Sequence, residues 1–410
     1  MLLSIGMIVK NEEKHLHNCL TSMLPILKNV KSELIIFDTG STDATVEIAR
    51  KFTKNVHQIE WRNDFAWARN HTLEKATGKW FMYVDADEVF TDTADLVAFF
   101  NSGEYKKYKC ATYKWRNVHA DGIFSHNRVS RLFKREKNTR FEGKIHECIM
   151  PHLPKKDLLA SADHFGYYEN TNKSSRNMPL LLEMHKEDPT DVRVIYHIVK
   201  ELPTDTAHLN EAERFIKLAF DEVGEDQEDI YFHMFSYLLV LNFAGKNDSQ
   251  GVIDTASKYL SGLKYTHQAL LGLLHTKTIA HHRLGEYSKA AKTAEEAMEI
   301  YEKLRTGKLD LDISTLFVIN ENLLVDKPLY LSNILINHIL AGNSEAAFSW
   351  AEVLGKEPGG NFEICGIAAS APEMAEANPQ MTDAQKNTVR EISAGLEQKY
   401  PLFSLRTCGQ

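Results

Sequence analysis

Across residues 1–90, four short apolar segments alternate with segments of helical periodicity. The strand-like segments read LLSIGMIV, SELIIFDTG, NVHQIEW and KWFMYVDAD, and the stretches between them place apolar residues three and four positions apart. Strands that are separated by helices of this length form βαβ units. The alternation therefore predicts a parallel sheet that is buried on both faces.

The chain changes character twice after this region. Residues 105–170 contain β-prone segments separated by polar turns, which we predict to extend the sheet as mixed strands. From about residue 174 onward, amphipathic helices dominate, and helix pairs joined by a Gly turn are typical of tetratricopeptide-like repeats. We predict an α/β domain over residues 1–172 and an all-α helical-repeat domain over 173–410, with a loop at 359–366.

Composition excludes several classes of protein. The 410 residues are too many for one ordinary core, and a net charge of -8 argues against a nucleic-acid binder. Five cysteines without a CxxC pair predict reduced thiols in a cytoplasmic protein instead of a disulfide framework. No apolar run reaches the roughly 18 residues of a membrane-spanning helix, so we expect no membrane span.

A polar group follows each predicted strand of residues 1–90. In open parallel sheets, ligands bind beyond the carboxyl ends of the strands, at the point where the strand order reverses. Side chains at these ends are therefore candidates for a shared binding crevice. The candidates are Val9, Asn11, Glu12, Asp38, Gly40, Ser41, Asp43, Asn63, Asp64, Arg69, Asp85, Ala86 and Asp87.

The sequence Asp85-Ala86-Asp87 has a specific chemical meaning. Residues two apart lie on one side of an extended backbone, where two carboxylates repel each other unless they share a cation. Hard divalent ions with oxygen ligands, Mg²⁺ or Mn²⁺, suit such a pair and keep positions open for phosphate oxygens. The triplet alone is a weak signal because most such triplets are solvated loop acids. Its coincidence with the other polar strand ends predicts a metal site that binds a diphosphate.

Four motifs in order, MIVKNEE, IIFDTGSTDAT, WRNDFAWARN and YVDADEVF, resemble the family 2, A-type nucleotide-sugar glycosyltransferases over residues 1–170. The segments RLFKR, FEGKIHECI and DHFGYY resemble the branch that carries tetratricopeptide-like helices, which includes the sublancin-type bacteriocin glycosyltransferases. The resemblance implies a Rossmann-like mixed sheet. It also implies an inverting enzyme that moves a hexose, with glucose favoured, from a UDP-sugar to a Ser, Thr or Cys side chain of a ribosomal peptide such as a bacteriocin precursor.

The resemblance also implies individual roles. Asp38 resembles the acid that contacts uridine, Asp85 lies nearer the ribose, and Asp87 lies nearer the metal. A later histidine often completes the metal shell in this fold, and His164 and His146 are both candidates. Further donor contacts implied by the resemblance are Asn63, Asp64, Arg69 and Arg131.

A hydroxyl acceptor needs a general base, for which Glu147 is the first choice because GKIHE is expected on the acceptor side. Asp87 and Glu88 are the other carboxylates considered. The structural alternative for Glu147 is an ion pair with Lys144 or Arg140. A cysteine acceptor needs less assistance, since the pKa of a thiol is about 8.5 and the thiolate is strongly nucleophilic.

Other functions remain as alternatives. One is a glycosyltransferase that acts on a cell-envelope glycan, and another is a non-catalytic adaptor with a peptide-binding helical domain. Retention of both acids in the metal pair disfavours the adaptor. A Rossmann dehydrogenase is rejected because G-x-G-x-x-G does not follow the first strand, and a P-loop is also missing from the sequence. We expect the helical domain to bind the acceptor peptide or to form a homodimer.

Overall fold

The computed structural model describes residues 1–118, 124–150, 153–166, 173–224, 230–262, 269–306, 308 and 327–401. The chain divides into two compact units, Met1–Pro189 and Thr190–Gln410. The first unit is α/β and the second is helical, which confirms the predicted fold class. The helix Lys173–Glu187 falls within the predicted helical-repeat domain, and in the structure it lies in the first unit. The two tyrosines of DHFGYY lie outside the described residues.

Within the described residues, one eight-stranded sheet forms the framework of the first unit. Its strands are β1 (Leu3–Val9), β2 (Ser32–Asp38), β3 (Val56–Gln58), β4 (Trp80–Tyr83), β5 (Glu88–Asp92), β6 (Cys110–Val118), β7 (Phe124–Lys134) and β8 (Lys155–His164). Their spatial order is β3-β2-β1-β4-β7-β6-β8-β5. The first four strands are parallel neighbours, whereas β7 runs antiparallel to β4 and β6, so the sheet is mixed as predicted.

Helices and side chains cover both faces of this sheet. All four residues of β4 are buried. Trp80 and Met82 pack into the core on one face, and Phe81 and Tyr83 pack into the core on the other. The apolar run in this strand is therefore continuous because neither face meets water. The helices of the unit are α1 (Leu16–Ser22), α2 (Leu24–Asn29), α3 (Thr45–Phe52), α4 (Phe65–Lys75), α5 (Ala94–Asn101) and α6 (Lys173–Glu187), with a 3₁₀ turn at Glu104–Lys107.

The strand β5 differs from the sequence-based expectation. The apolar run predicts that KWFMYVDAD is one strand, but the backbone turns at Ala86 and Asp87. The chain then pairs antiparallel with β8 at the edge of the sheet, with Glu88 opposite His164. After this turn, the Asp87 side chain faces His164, whereas the Asp85 side chain contacts Arg69 and Arg131. The turn also brings the segment around Asp87 next to the end of β8.

The second unit consists of successive helices that pack against their neighbours in the chain, as in helical-repeat proteins. The helices are α7 (Val192–Glu201), α8 (Thr206–Val223), α9 (Ile230–Gly245), α10 (Ser249–Gly262), α11 (Ala269–Arg283), α12 (Tyr287–Arg305), α13 (Lys327–Leu340), α14 (Ser344–Leu354), α15 (Gly360–Ala377) and α16 (Asp383–Lys399). Buried alanines on α12, including Ala290, Ala294 and Ala297, permit close packing. In the described parts of both units, every helix is too short or too polar to span a bilayer.

The prediction of a loop at 359–366 is wrong, because α15 begins at Gly360. The two glycines that suggested a loop instead start the helix. Gly359 is the N-cap with φ of 75°, a left-handed conformation that favours glycine. A Cβ atom on Gly360 would lie 1.9 Å from the carbonyl oxygen of Leu354, so the close approach of the preceding chain requires a glycine there.

Candidate functional site

The loops that follow β1 and β2 are tied together by hydrogen bonds. The backbone N–H of Asn11 donates to Ser41 Oγ at 2.9 Å, and that of Thr42 donates to Asn11 Oδ1 at 2.8 Å. Asp43 accepts from the backbone N–H of Glu13 at 3.2 Å. Three residues predicted to bind the nucleotide-sugar, Asn11, Ser41 and Asp43, thus hold the loop after β1 against the loop after β2.

Asp38 ends β2 and is fully buried. Its carboxylate accepts hydrogen bonds from the backbone N–H groups of Gly40 and Ser41, each at 3.2 Å, and from Gln58 Nε2 at 3.5 Å. Val9, the last residue of β1, is its partner across the strand pair. Asp38 therefore organises the turn after β2, and its contact with a base stays a prediction.

The segment after β3, WRNDFAWARN, contains the predicted site residues Asn63, Asp64 and Arg69. Asn63 and Asp64 form local hydrogen bonds, whereas Arg69 reaches the residues that follow β4. Asn63 accepts a hydrogen bond from Trp61 Nε1 at 2.8 Å. Asp64 is the N-cap of α4 and accepts from the backbone N–H of Trp67 at 2.7 Å. Arg69, one turn further along α4, is buried and extends toward the end of β4.

Both oxygens of Asp85 are bound by buried arginines. Arg69 Nη2 donates to Asp85 Oδ1 at 2.5 Å, and Arg131 Nη2 donates to Asp85 Oδ2 at 2.8 Å. Burial alone would raise the pKa of Asp85, but the positive charges of Arg69 and Arg131 outweigh this effect and hold that pKa well below its usual range. Asp85 is therefore a charged anchor for two guanidinium groups.

Glu88 is the buried anchor behind this cluster, a role that sequence analysis missed. Its carboxylate accepts from Tyr113 Oη at 2.5 Å, from Trp115 Nε1 at 2.8 Å and from the backbone N–H of Asp85 at 2.9 Å. Burial raises the pKa of Glu88, against the opposing charge of Arg131, which lies 3.3 Å away. With no exposed surface, Glu88 supports the site from within the protein.

Glu147 is joined to the same cluster through Arg69. Arg69 Nε donates to Glu147 Oε1 at 2.5 Å, and only 10% of the Glu147 side chain is exposed. Lys144, one of the alternative partners considered for Glu147, instead pairs with Glu183 at 2.8 Å and with Glu187 at 2.7 Å on α6. A single arginine therefore links the end of β4 to the loop that carries Glu147.

Asp87 and His164 face each other at the edge of the sheet. Asp87 Oδ2 lies 3.5 Å from His164 Nε2, and the backbone N–H of Phe165 donates to the Asp87 carbonyl at 3.0 Å. A Cβ atom on Gly166 would lie 2.6 Å from Asp87 Oδ2 and 2.7 Å from His164 Nε2. A carboxylate oxygen and an imidazole nitrogen thus border a space that remains open because residue 166 has no side chain. This donor set suits a divalent cation.

The four predicted metal ligands are not assembled as one set. Among the described residues, no group of three or more His, Cys, Asp and Glu side chains could hold a metal ion by itself. The Asp85 carboxylate binds Arg69 and Arg131, and the backbone turns at Ala86 and Asp87 instead of continuing as a strand. His146 lies half-buried in the loop before Glu147, with φ of 52°. The structure brings together Asp87 and His164.

Substituting Gly166 with Ala tests this open space. The added methyl group would force Asp87 and His164 apart, so we expect Mn²⁺ binding to weaken by about 10- to 100-fold, the range seen when support of metal ligands is lost. Isothermal titration of the full-length protein with MnCl₂ measures this change. Gly366→Ala is the control, because among the described residues no atom beyond its chain neighbours and the adjacent backbone of its own helix lies within 4 Å of its Cβ position. Unchanged Mn²⁺ affinity in Gly166→Ala would contradict the hypothesis that Asp87 and His164 bind a divalent cation in this space.

Comparison with known proteins defines the class of this domain. Residues 4–153 match the family model Glycosyl transferase family 2. The first unit therefore contains a family 2 glycosyltransferase domain, which confirms the resemblance seen in the four strand-end motifs.

The individual proteins that this chain resembles have low sequence identity to it. The chain is 29% identical over 212 residues to the SPbeta prophage-derived glycosyltransferase SunS of Bacillus subtilis, and this alignment covers 49% of each protein, so the chain spans about half the length of that relative. It is 32% identical over 148 residues to a TPR repeat-containing protein of Synechococcus elongatus, covering 36% of this chain and 35% of that protein. The structure of S. aureus TarS 1-349 in complex with UDP-GlcNAc is similar, with 15% identity, a TM-score of 0.37, and coverage of 65% of this chain and 93% of TarS 1-349.

Proposed function

We propose that this protein is a metal-dependent inverting glycosyltransferase that transfers a hexose from a UDP-sugar, with glucose as the favoured hexose. The proposed acceptor is a Ser, Thr or Cys side chain of a ribosomal peptide such as a bacteriocin precursor. The observation that carries the proposal is the pairing of Asp87 with His164 across the space left by Gly166, at the strand-end edge of a family 2 domain. An oxygen and a nitrogen ligand at this edge suit a cation that also binds a diphosphate.

Asp87 and His164 are the proposed ligands of Mg²⁺ or Mn²⁺. Their atoms are 3.5 Å apart, which allows both to reach one ion at metal–ligand distances of about 2.1 Å. When bound, such an ion supplies positive charge next to the departing nucleoside diphosphate. Substrate oxygens complete the coordination in this proposal, because two protein side chains leave most positions open.

The donor nucleotide is proposed to lie along the ends of β1, β2 and β4. Asp38 is placed to accept hydrogen bonds from the uracil, as the family resemblance implies. Arg69 and Arg131 add two positive charges beside Asp85, and within the described residues Arg69 Nη1 and Arg131 Nε are buried without a hydrogen-bond partner. Buried donors of this kind are costly, and oxygen atoms of the donor sugar or the diphosphate would satisfy them.

Glu147 is the proposed general base that accepts the proton of the attacking hydroxyl. Its bond to Arg69 holds the carboxylate in a fixed position next to the centre of the site. Inversion at the anomeric carbon requires the acceptor to approach from the face opposite the leaving diphosphate, so a base on a separate loop is well suited to this role. The role depends on the acceptor, because a thiolate reaches sufficient concentration with little help.

The substitution Glu147→Gln separates these acceptors. The amide oxygen of Gln still accepts from Arg69 Nε, so the fold is retained, but the side chain does not accept a proton. We expect kcat for a Ser or Thr acceptor to fall by about 10²- to 10⁴-fold, and kcat for a Cys acceptor to fall much less. Steady-state kinetics with matched peptides measures both values. Glu142→Gln, an exposed carboxylate in the same loop, is the control, and full activity of Glu147→Gln on a hydroxyl acceptor would remove Glu147 from this role.

The helical second unit is the proposed binding surface for the acceptor peptide, or the surface for homodimerisation. Tetratricopeptide-like helices commonly hold extended peptides on their concave faces. The peptide acceptor rests on this architecture and on the resemblance to the bacteriocin glycosyltransferase branch. A cell-envelope glycan acceptor and a non-catalytic adaptor are the outcomes against which it is tested.

Intact-mass spectrometry of the full-length protein with its substrates tests the whole proposal. A panel of UDP-sugars is combined with a peptide encoded next to the gene, in the presence of Mn²⁺ or of EDTA. We expect a mass increase of one hexose on the peptide that depends on Mn²⁺ and is greatest with UDP-glucose. Transfer to glycan fragments but not to peptide would support the envelope alternative. Absence of both UDP binding and UDP-glucose hydrolysis would support the adaptor.

A further inference from the structure

We infer that Asn117 and Trp115, two residues of β6, are positioning residues that fix the tautomer and the ring plane of His164. The inference rests on the proposed function, because it explains how His164 would be presented to a divalent cation. It concerns residues that none of the sequence motifs singled out. Two independent contacts of the imidazole ring carry it, one in the ring plane and one on the ring face.

The in-plane contact fixes the tautomer. Asn117 and His164 are partners in the parallel pairing of β6 with β8, and both are buried. His164 Nδ1 lies 2.9 Å from Asn117 Oδ1. An amide oxygen only accepts hydrogen bonds, so Nδ1 must carry the proton and donate it. In the neutral ring, Nε2 then presents its lone pair, and it is this atom that faces Asp87 Oδ2.

The face contact fixes the ring plane. The Trp115 indole stacks on the His164 imidazole with 4.2 Å between ring centroids and 13° between planes. Trp115 Nε1 donates to the fully buried carboxylate of Glu88, so the indole itself is held in place. Residues 115 and 117 are two apart and lie on the same side of β6, which places both supports against one ring.

Together, these contacts leave His164 one orientation, in which the lone pair of Nε2 lies in a plane set by Trp115. Ligand histidines in metalloproteins commonly donate their second ring N–H to a supporting acceptor, and losing that partner weakens metal binding by about 10- to 100-fold. Asn117 has the chemistry and the position of such a partner. Glu88 also accepts a hydrogen bond from the backbone N–H of Asp85 and lies 3.3 Å from Arg131. The supports of His164 and the arginine cluster are therefore joined through one buried carboxylate.

The first test is the proton on Nδ1, measured by ¹H–¹⁵N NMR of the full-length protein labelled at histidine, without metal or nucleotide. The His164 signals are identified by their loss in His164→Gln. We expect Nδ1 to be protonated in the wild type and in Asn117→Asp, which keeps an acceptor oxygen. In Asn117→Leu and Asn117→Ala, we expect the proton to be distributed between the two nitrogens. A wild type with the proton on Nε2 alone would overturn the inference.

The second test is Mn²⁺ binding followed by electron paramagnetic resonance, with no sugar donor or acceptor present. We expect Asn117→Leu, Asn117→Ala and Trp115→Leu to bind Mn²⁺ about 10- to 100-fold more weakly, and Asn117→Asp to stay close to the wild type. Near-UV circular dichroism selects variants that are folded. Wild-type affinity in a folded Asn117→Leu would overturn the inference. If the wild type binds no Mn²⁺, the proposed metal site fails, and the Nδ1 proton alone then decides whether Asn117 positions His164.

Discussion

Asp87→Asn is expected to abolish glycosyl transfer from a UDP-sugar while leaving the fold intact. Asn has the shape of Asp, but it lacks the negative charge that Asp87 Oδ2 presents opposite His164 at 3.5 Å. Charge stabilisation by a bound cation is worth several kcal/mol, and each 1.4 kcal/mol corresponds to about a factor of ten in rate. We therefore expect kcat/KM to fall by at least about 10³-fold, measured as Mn²⁺-dependent release of UDP.

The matched control for this prediction is Asp92→Asn. Asp92 is an exposed residue at the end of the same strand, β5, and it accepts a hydrogen bond from the backbone N–H of Ala94 at 2.8 Å, which Asn also accepts. We expect wild-type kcat/KM in this variant. Near-normal turnover by Asp87→Asn would refute the metal assignment, and the Mn²⁺ affinity of the same sample shows whether the metal or a later step is affected.

Arg69→Met is expected to produce the largest loss of stability. Arg69 is 5% exposed, and its guanidinium pairs with Asp85 and Glu147, each at 2.5 Å. Removing it leaves Glu147 without this partner and Asp85 with only Arg131, and uncompensated buried charge costs about 3–5 kcal/mol. Urea unfolding followed by tryptophan fluorescence measures the change. This signal reports mainly on the first unit, because Trp350 is the one tryptophan of the second.

The control for Arg69 is Arg116→Met. Arg116 forms a comparable pair with Asp163 at 2.6 Å, but 43% of its side chain is exposed. Exposed ion pairs contribute about 0–1 kcal/mol, so we expect the free energy of unfolding to change by no more than that. Equal losses of unfolding free energy in the two variants would mean that burial of the Arg69 ion pairs does not explain their contribution to stability.

The Arg69 effect is also expected to depend on pH. The pKa of Asp85 in the folded protein is below its unfolded value of about 3.9, so its ionisation contributes stability above that pH and this contribution is lost as the pH falls toward the folded-state pKa. In Arg69→Met the pKa of Asp85 should be higher, because one of its two guanidinium partners is missing. The difference in unfolding free energy between wild type and variant should therefore be largest near neutral pH and should shrink as the pH is lowered through about 4.

Local patterns in the sequence were sufficient to predict the architecture. The unbroken apolar run of β4 indicated a strand covered on both faces, and the structure buries Trp80 and Phe81 in two different cores. Helical periodicity after residue 174 predicted the all-α region. The polar residues that follow β1, β2 and β4 lie at one edge of the sheet, because the carboxyl ends of parallel neighbouring strands point the same way.

The arrangement of the site was decided by tertiary structure. Asp87 meets His164 because β5 pairs with β8, and Arg69 joins Asp85 to Glu147 because α4 lies beside the loop that carries Glu147. Each contact joins residues far apart in the chain, and no local periodicity specifies which of them will meet. The spacing of Asp85 and Asp87 in the sequence did not indicate the turn at Ala86 and Asp87, which gives the two carboxylates different partners. Strand order and register determine which side chains converge, since a shift of one residue in register turns a side chain to the opposite face.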